Sequence, residues 1–456
     1  MHIIVTGATG FVGRPLVRRL LAAGHAVTAL TRDVNAARRV MPVRCACVAW
    51  NPAAPLDPAA LRDADAIIHL AGAGVADKPW TAQRKQAIRE SRVGGSRALV
   101  QALRELSSSQ RPRLLISASA IGYYGDRGDA ELDEQASVGD GFLAEVCQAW
   151  EREVFEAQRL NVRTAVIRIG IVLGKDGGAL GKMLPPFRLG VGGRMGSGNQ
   201  WMSWIHLDDL VALFLFALTR AEVSGPINGV APNAVTNATF TSALAAALRR
   251  PALMPVPAVA LRLAFGEMST VLLGSQRVLP RVAAQLGFAF QHAELAGALA
   301  DLCADGCHEV EYEQWVRRPV EDVFAFFADA HNLERITPDF VHFRIVNVST
   351  PELRTGTTIN YRLSLHGVPL RWQSRITEWD PPRRFVDVQT RGPYHLWEHT
   401  HELAPYDGGT VVRDRVRYAL PFGAVGDLIA GRLVARNVRA IFDFRRESIA
   451  RLFERY

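Results

Sequence analysis

His2-Ile3-Ile4-Val5-Thr6-Gly7-Ala8-Thr9-Gly10-Phe11-Val12-Gly13 is the stretch whose reading decides the fold of the first half of the chain. His2–Thr6 is short, apolar and rich in β-branched residues, and it predicts a buried strand. Three evenly spaced glycines follow, and the helix-period segment Phe11–Ala23 begins among them. Gly7 permits a tight turn, Gly10 lets backbone N–H groups approach a pyrophosphate, and Gly13 lets helix and strand pack closely. The helix N-terminus adds the positive end of its dipole. The competing reading, a glycine-rich turn without a ligand, does not account for strand, turn and helix arriving in this order.

Outward from this stretch the same grammar repeats. Ala26–Leu30, Ala66–Leu70, Leu114–Ser117 and Thr164–Ile169 read as buried strands, separated by helix-period segments such as Ala87–Leu106 and Phe142–Gln158. Alternating strands and helices predict an α/β fold with a doubly wound, Rossmann-type parallel sheet. Residues 180–300 carry Pro- and Gly-rich loops and further helix, the makings of a small substrate lobe. Asp301–His308 reads as a junction between a first domain at 1–300 and a second at 309–456.

The second strand ends on Leu30-Thr31-Arg32-Asp33. An acid at that strand end suits the ribose 2′-hydroxyl of NAD, whereas an arginine suits the 2′-phosphate of NADP. Arg32 therefore predicts NADP(H), with Asp33 one position later as the confounder.

The 456-residue chain is 48% apolar and 21% charged, a globular composition. No apolar run approaches the roughly 20 residues of a membrane span. The first residues lack the layout of a signal peptide, and five cysteines suit reduced thiols in a cytoplasmic setting. The net charge of +8 comes without any Lys/Arg run or basic-aromatic module, so nucleic acid is not an expected partner. Lysines stand only at Lys78, Lys85, Lys175 and Lys182.

His69-Leu70-Ala71-Gly72, Ser117-Ala118-Ser119-Ala120-Ile121-Gly122-Tyr123-Tyr124-Gly125, Arg168-Ile169-Gly170 and Trp204-Ile205-His206-Leu207-Asp208-Asp209 follow in order. In these motifs the chain resembles the extended short-chain dehydrogenase/reductase (SDR) family over roughly residues 1–300. More narrowly it resembles the "epimerase family" branch that often carries a cell-division-inhibitor label. Ser91-Arg92, Gly141-Phe142-Leu143-Ala144, Trp150-Glu151, Gly266-Glu267-Met268 and Ser275-Gln276-Arg277-Val278 support that narrower likeness. The resemblance implies a cofactor site of Gly7, Thr9, Gly10, Phe11, Val12, Gly13, Arg32, Leu70, Ala71, Gly72, Ser117, Arg168 and Gly170. It also implies a small-molecule substrate, and a homodimer is among the assemblies it allows.

The catalytic pattern of that family breaks here. SDR enzymes use a tyrosine as acid/base, a lysine four residues on to lower its pKa, and a serine to orient the substrate oxygen. Ser119 fits the serine position. Four residues before each lysine stand Gly74, Thr81, Ile171 and Gly178, so the chain has no Tyr-x-x-x-Lys. The expected helix instead runs Gly141-Phe142-Leu143-Ala144-Glu145-Val146-Cys147. The replacement candidates are Tyr123 and Tyr124, with Tyr124 placed to pack and Tyr123 less constrained, and Cys147, which has no neighbour in sequence to lower its pKa. A free phenol titrates near pH 10 and needs a positive neighbour to act near neutrality. Cys147 reads first as a small buried residue, and His206 as a loop-positioning one.

After Glu309 the grammar changes to strand-like stretches between Gln314 and Leu420, with turns at Asp380-Pro381-Pro382 and Asp407-Gly408-Gly409. Val320–Phe327 reads as a short helix. Asp427–Phe453 reads as one long amphipathic helix, with Leu428, Leu433, Val438, Ile441, Phe442, Ile449 and Leu452 on its apolar stripe. Arg318-Pro319-Val320, Asn332-Leu333, Thr337-Pro338, Trp397-Glu398-His399-Thr400-His401 and Tyr418-Ala419-Leu420-Pro421 resemble the SRPBCC superfamily of polyketide cyclases and lipid-transfer domains. That likeness implies an α+β helix-grip domain with a cavity for a hydrophobic ligand and Trp372, Trp379 and Trp397 as cavity or core residues. His395, Trp397, His399 and His401 alternate along one strand, but no third-ligand pattern accompanies them, and no metal site is expected.

Together these readings predict an NADP(H)-binding SDR-type oxidoreductase or epimerase that lacks Tyr-x-x-x-Lys and is fused to a hydrophobic-ligand-binding domain. Two alternatives stay open. The chain is a non-catalytic NADPH- and ligand-binding protein, or its C-terminal domain is itself a cyclase or dehydratase.

Overall fold

A computed structural model of the chain describes residues 1–175, 177–303, 307–365 and 367–454, and of residues 424, 425, 428 and 454 only the backbone. Residues 304–306 of the expected junction and the Leu428 side chain lie outside that description. The chain divides into two compact units, Met1–Cys303 and Ala304–Tyr456. No helix among the described residues is long and apolar enough to cross a membrane.

The first unit is built on seven parallel strands: β1 (His2–Thr6), β2 (Ala26–Thr31), β3 (Cys45–Ala49), β4 (Ala66–His69), β5 (Leu114–Ala120), β6 (Arg163–Ile169) and β7 (Gly225–Gly229), in the order β3-β2-β1-β4-β5-β6-β7. The pleat sends alternate side chains to opposite faces. Ile3, Val5, Ile68, Ile116 and Ile167 share one core cluster with Leu16, Val17 and Leu20 of α1 (Gly13–Ala22) on one face, and Ile4, Ile67, Leu115 and Val166 form the core of the other. The next helices are α2 (Val34–Arg38), α3 (Ala82–Arg89), α4 (Gly95–Glu105), α5 (Phe142–Phe155), α6 (Gly178–Arg188), α7 (Leu207–Thr219), α8 (Asn237–Leu248) and α9 (Leu295–Cys303). Leu99 and Leu103 of α4 and Trp150 and Val154 of α5 seal the second face, and Phe214 of α7 joins the first. Leu180, Leu184, Phe240, Leu244, Leu295 and Leu299 give the lobe of α6, α8 and α9 a core of its own.

Two features depart from the sequence reading. Strands β3 and β7 were not foreseen, because Cys45-Ala46-Cys47-Val48-Ala49 is small and Gly225-Pro226-Ile227-Asn228-Gly229 carries turn residues. The single helix expected over Ala87–Leu106 is interrupted by a π-helical stretch, Glu90–Gly94, between α3 and α4. Such stretches often mark functional positions, and this one carries Arg92.

The second unit is an antiparallel sheet of β8 (Cys307–Val316), β9 (Arg344–Val348), β10 (Thr358–Leu365), β11 (Val368–Asp380), β12 (Arg384–Arg391), β13 (Leu396–Tyr406) and β14 (Gly409–Ala419), in the order β8-β14-β13-β12-β11-β10-β9. Register shifts at Ile345/Asn347, Gln373/Ser374 and Ile376/Glu378 mark bulges, which bend strands. Asp407 and Gly408, both at positive φ, make the two-residue turn between β13 and β14. Helix α10 (Val320–Ala328) and the long α11 (Ala424–Glu454) complete the helix-grip fold. Ile449 packs with Val412, Leu403 and Phe324, while Val438 and Phe442 pack with Val416 and Tyr418. Leu433, expected on the same stripe, is exposed.

Candidate functional site

The glycine turn at the end of β1 divides its labour between folding and binding. Gly7 has φ +68°, and a Cβ there would lie 2.7 Å from the Leu70 carbonyl carbon. A Cβ on Gly13 would lie 2.3 Å from Gly7 O, so this glycine sets the approach of α1 to the turn. Gly10 is exposed, and a Cβ there would meet only Gly7 O, at 3.1 Å. A side chain at Gly10 would therefore fill the cradle and leave the scaffold intact. Thr9 and Val12 are half-buried beside it. The Phe11 ring lies against Gly174, Gly177 and Gly178, where any Cβ would come within 2.7–2.9 Å of it.

Neighbouring strand ends converge on this turn. Thr6 Oγ1 lies 2.7 Å from His69 Nδ1 and accepts from the N–H groups of Leu70 and Ala71, each at 3.2 Å. Burial pushes the His69 imidazole down to about 4. At the end of β2, Asp33 accepts from Ala36 N at 2.9 Å and caps α2. Arg32 is exposed and makes no ion pair or hydrogen bond with any described residue. The confounding carboxylate is thus committed to a helix end, and the arginine is left as the available charge.

At the end of β5 lies a buried polar network. Ser119 donates to Glu151 Oε1 at 2.7 Å. Arg168 holds the same carboxylate through both oxygens, Nε to Oε1 at 2.9 Å and Nη2 to Oε2 at 2.8 Å. Arg168 also donates to Tyr124 Oη at 2.9 Å, and Tyr124 donates to Asn228 Oδ1 at 2.7 Å. The guanidinium lies 3.5 Å from the centre of the Tyr123 ring. Tyr124 is fully buried, and burial pushes its phenol up to about 12. Tyr123 is half-buried, and its hydroxyl bonds to no described residue. The sequence reading set Arg168 among the cofactor contacts. With 3% exposure and four protein acceptors or ring faces around it, it is a hub within the protein.

Helix α5 presents Leu143 and Cys147, one turn apart, to Gly122: a Cβ on that glycine would meet Leu143 Cβ at 3.2 Å and Cys147 Sγ at 3.9 Å. Cys147 also faces Ser119, and burial pushes its thiol up to about 11. An apolar residue and a buried thiol thus share this face of α5. A cation comes from another element. Arg92, on the π-helical stretch, donates to Ala73 O at 2.9 Å and lies 5.3 Å from the Trp150 ring centre. Its carbon would be 3.2 Å from a Cβ on Gly72, and Cys147 is within its electrostatic reach. The pair Ser91-Arg92 carried the family likeness, but nothing in the sequence said where its charge would go. Lys85 lies over the Phe142 ring at the same rim, paired with Glu267. Ser117 is buried and bonds Ala118 O, and Gly170 closes on Ser203 and Val230. His206 caps α7 and stacks on His292 at 3.7 Å.

Residues 3–229 match the model of the NAD dependent epimerase/dehydratase family, and residues 256–302 match a domain of unknown function, DUF1731. The chain is 42% identical over 306 residues to the chloroplastic epimerase family protein SDR39U1 homolog of Arabidopsis thaliana, covering 66% of this chain and 86% of the relative. The chain belongs to the epimerase family. Among solved structures, this epimerase-family chain is similar to human epimerase family protein SDR39U1 with NADPH, at 34% identity and TM-score 0.59, covering 67% of this chain and 99% of that one. It is also similar to a nucleoside-diphosphate sugar epimerase from Corynebacterium glutamicum, at 35% identity and TM-score 0.53, covering 66% of this chain and 58% of that one.

The second unit matches a different family. Residues 308–454 match the polyketide cyclase/dehydrase and lipid transport family. A cavity of about 210 Å³ opens between its sheet and α11, lined by Phe326, Leu333, Tyr361, Trp372, Trp397 and Phe442 among others. Trp379 packs outside it, in the core with Phe324 and Phe385. His395 is exposed before β13, whereas His399 and His401 are buried at the cavity wall.

Proposed function

We propose that this chain is an NADP(H)-dependent epimerase-family oxidoreductase acting on a small carbonyl or hydroxyl substrate, with a C-terminal unit that holds an apolar ligand. In this reading residues 1–300 bind cofactor and substrate, the substrate lobe spans about 180–300, and residues 309–456 bind the ligand. The observation that carries it is the pairing of an open Gly10 cradle with an uncommitted Arg32 beside an Asp33 tied up as a helix cap. Human SDR39U1, solved with NADPH, supports the same cofactor.

Bound on the cradle, NADPH would supply a hydride. The protein's own residues have separate tasks. Arg32 would hold the 2′-phosphate, and the N–H groups at the start of α1 would hold the pyrophosphate. Glu151 accepts the Ser119 proton in a hydrogen bond, which leaves the Ser119 oxygen as an acceptor for a substrate hydroxyl. Tyr123, whose hydroxyl bonds to no described residue, delivers the proton, while Tyr124 is a packing residue bound to Asn228. Arg92 brings positive charge to the face that lacks lysine. Five free cysteines support a reducing, cytoplasmic setting.

The test is kinetic, with purified full-length protein, NADPH and a panel of aldehydes and ketones. The expected result is slow NADPH oxidation that falls about 10²-fold or more in Ser119→Ala and Tyr123→Phe and survives in Cys147→Ser. Full activity in Tyr123→Phe would remove Tyr123 from the acid role. Tight NADPH binding without turnover on any substrate would favour the non-catalytic reading, for which the missing Tyr-x-x-x-Lys speaks.

A further inference from the structure

We propose that the C-terminal cavity contains a mononuclear divalent-metal site made by Asp387 Oδ2, His399 Nδ1 and His401 Nε2, with an open coordination position for an oxygen donor on an apolar ligand. The three residues come from two neighbouring strands. Register pairs Asp387 of β12 with His399 of β13, and the two-residue period of β13 puts His401 on the same side. All three line the cavity. Asp387 Oδ2 lies 3.3 Å from His401 Nε2 and 3.7 Å from His399 Nδ1. Metal bonds of about 2.0–2.2 Å in tetrahedral geometry separate neighbouring ligand atoms by about 3.4 Å. The two separations from Asp387 are close to that spacing, and all three atoms lie within 4.8 Å of one another.

The surroundings fit the same reading. The far nitrogen of each imidazole faces one carboxylate: His399 Nε2 is 3.0 Å and His401 Nδ1 is 2.9 Å from Asp414 Oδ1. Asp414 is the β14 residue in register with His401, and Arg445 of α11 holds it at 3.2 Å. A carboxylate behind the histidine fixes its tautomer and aims the other nitrogen's lone pair at the metal. In that tautomer two lone pairs and a carboxylate oxygen converge with no donor among them, and a cation resolves the conflict. Two imidazoles and one carboxylate suit Zn²⁺ or Fe²⁺ rather than Mg²⁺ or Ca²⁺. Arg445 adds a second signal. Its side chain is 6% exposed, it lines the cavity, and its Nε has no protein acceptor among the described residues. A ligand oxygen, on the metal or next to it, would meet that donor.

The rival arrangement places a proton where the metal would be. Arg445 Nη2 is 3.2 Å from His401 Nδ1, so His401 could accept from Arg445 and donate from Nε2 to Asp387. A second cluster, His206 with His292 and Asp301, is an alternative home for a metal in the first unit.

The experiment loads the full chain with Zn²⁺ or Co²⁺, removes free ion by gel filtration, and measures metal content by mass spectrometry and the visible spectrum of the Co²⁺ form. The expected result is about one ion per chain and the absorption of four- or five-coordinate Co²⁺. Asp387→Asn and His399→Gln should each lower affinity at least tenfold, and His292→Gln should leave it unchanged. A medium-chain hydroxamate, an apolar tail with an oxygen head, should shift the Co²⁺ spectrum. No retained metal and no such spectrum in the wild type would overturn the proposal. So would metal that survives Asp387→Asn and disappears in His292→Gln. Both wild-type readouts stand even if a variant fails to fold.

Discussion

Replacing Glu151 by glutamine tests whether the network beneath Ser119 is electrostatically closed. The side chains of Arg168 and Glu151 are 4% and 6% exposed, and they share two hydrogen bonds of 2.8 and 2.9 Å. Glutamine keeps the shape and one acceptor but removes the charge, so the guanidinium is left buried without a counter-ion. Breaking a buried pair on one side typically costs about 3–5 kcal/mol, out of a total stability of about 5–15 kcal/mol. The retained acceptor puts the expected loss at the lower end, about 3 kcal/mol. Replacing both partners with apolar residues, Glu151→Leu with Arg168→Met, removes both charges at once and should recover at least half of that loss. It would not recover all of it, because Ser119 loses its acceptor. Urea titration followed by hydrogen exchange in peptides covering Arg163–Ile169 reports this unit alone. A Glu151→Gln loss below about 1 kcal/mol, or a double variant as unstable as the sum of its singles, would refute the reasoning.

Three further outcomes follow from the same geometry. Gly10→Val should abolish NADPH binding and leave the melting temperature within a few degrees of wild type, whereas Gly13→Val, which meets backbone at 2.3 Å, should cost at least about 1–3 kcal/mol; thermal melts and calorimetry separate the two. His69 is held at about 4, below its unfolded value, so the folded state binds fewer protons and loses stability as pH falls from about 6.5 to about 4, by about 3 kcal/mol. Urea midpoints across that window should flatten by this amount in His69→Asn. Cys147, pushed up to about 11, stays a thiol at pH 8, so iodoacetamide should leave it unmodified in the native protein by peptide mass mapping.

The Rossmann half was legible because its signals are local. His2–Thr6, the three glycines and the helix after them lie within one short segment, and the structure keeps the strand bounds unchanged. Strand β7 was hidden because Gly225 and Pro226 read as a turn, and parallel pairing with β6 overrides that local signal. Most of the Ser119 network was hidden for another reason. Glu151 stood in the Trp150-Glu151 motif with nothing tying it to Ser119, and Asn228 and Glu134 are ordinary residues far apart in the chain, joined to the network only by the fold. Arg92 was visible as part of a motif, but its delivery to the Cys147 face depends on the π-helical stretch. In the second unit His399 and His401 were visible by alternation along one strand. Asp387 and Asp414 join them only through strand register, which the sequence does not specify.

The central claim is that the first unit is a site for NADP(H), chosen by Arg32. Calorimetric titration of the wild type and of Arg32→Ala with NADPH and with NADH tests it most directly. A charge-assisted pair with the 2′-phosphate contributes about 1.5–3 kcal/mol, or about ten- to hundredfold in affinity. The wild type should prefer NADPH by that factor, and Arg32→Ala should lose the preference while binding NADH as before. Equal affinity of the wild type for both dinucleotides, or an equal loss of both in Arg32→Ala, would contradict the account.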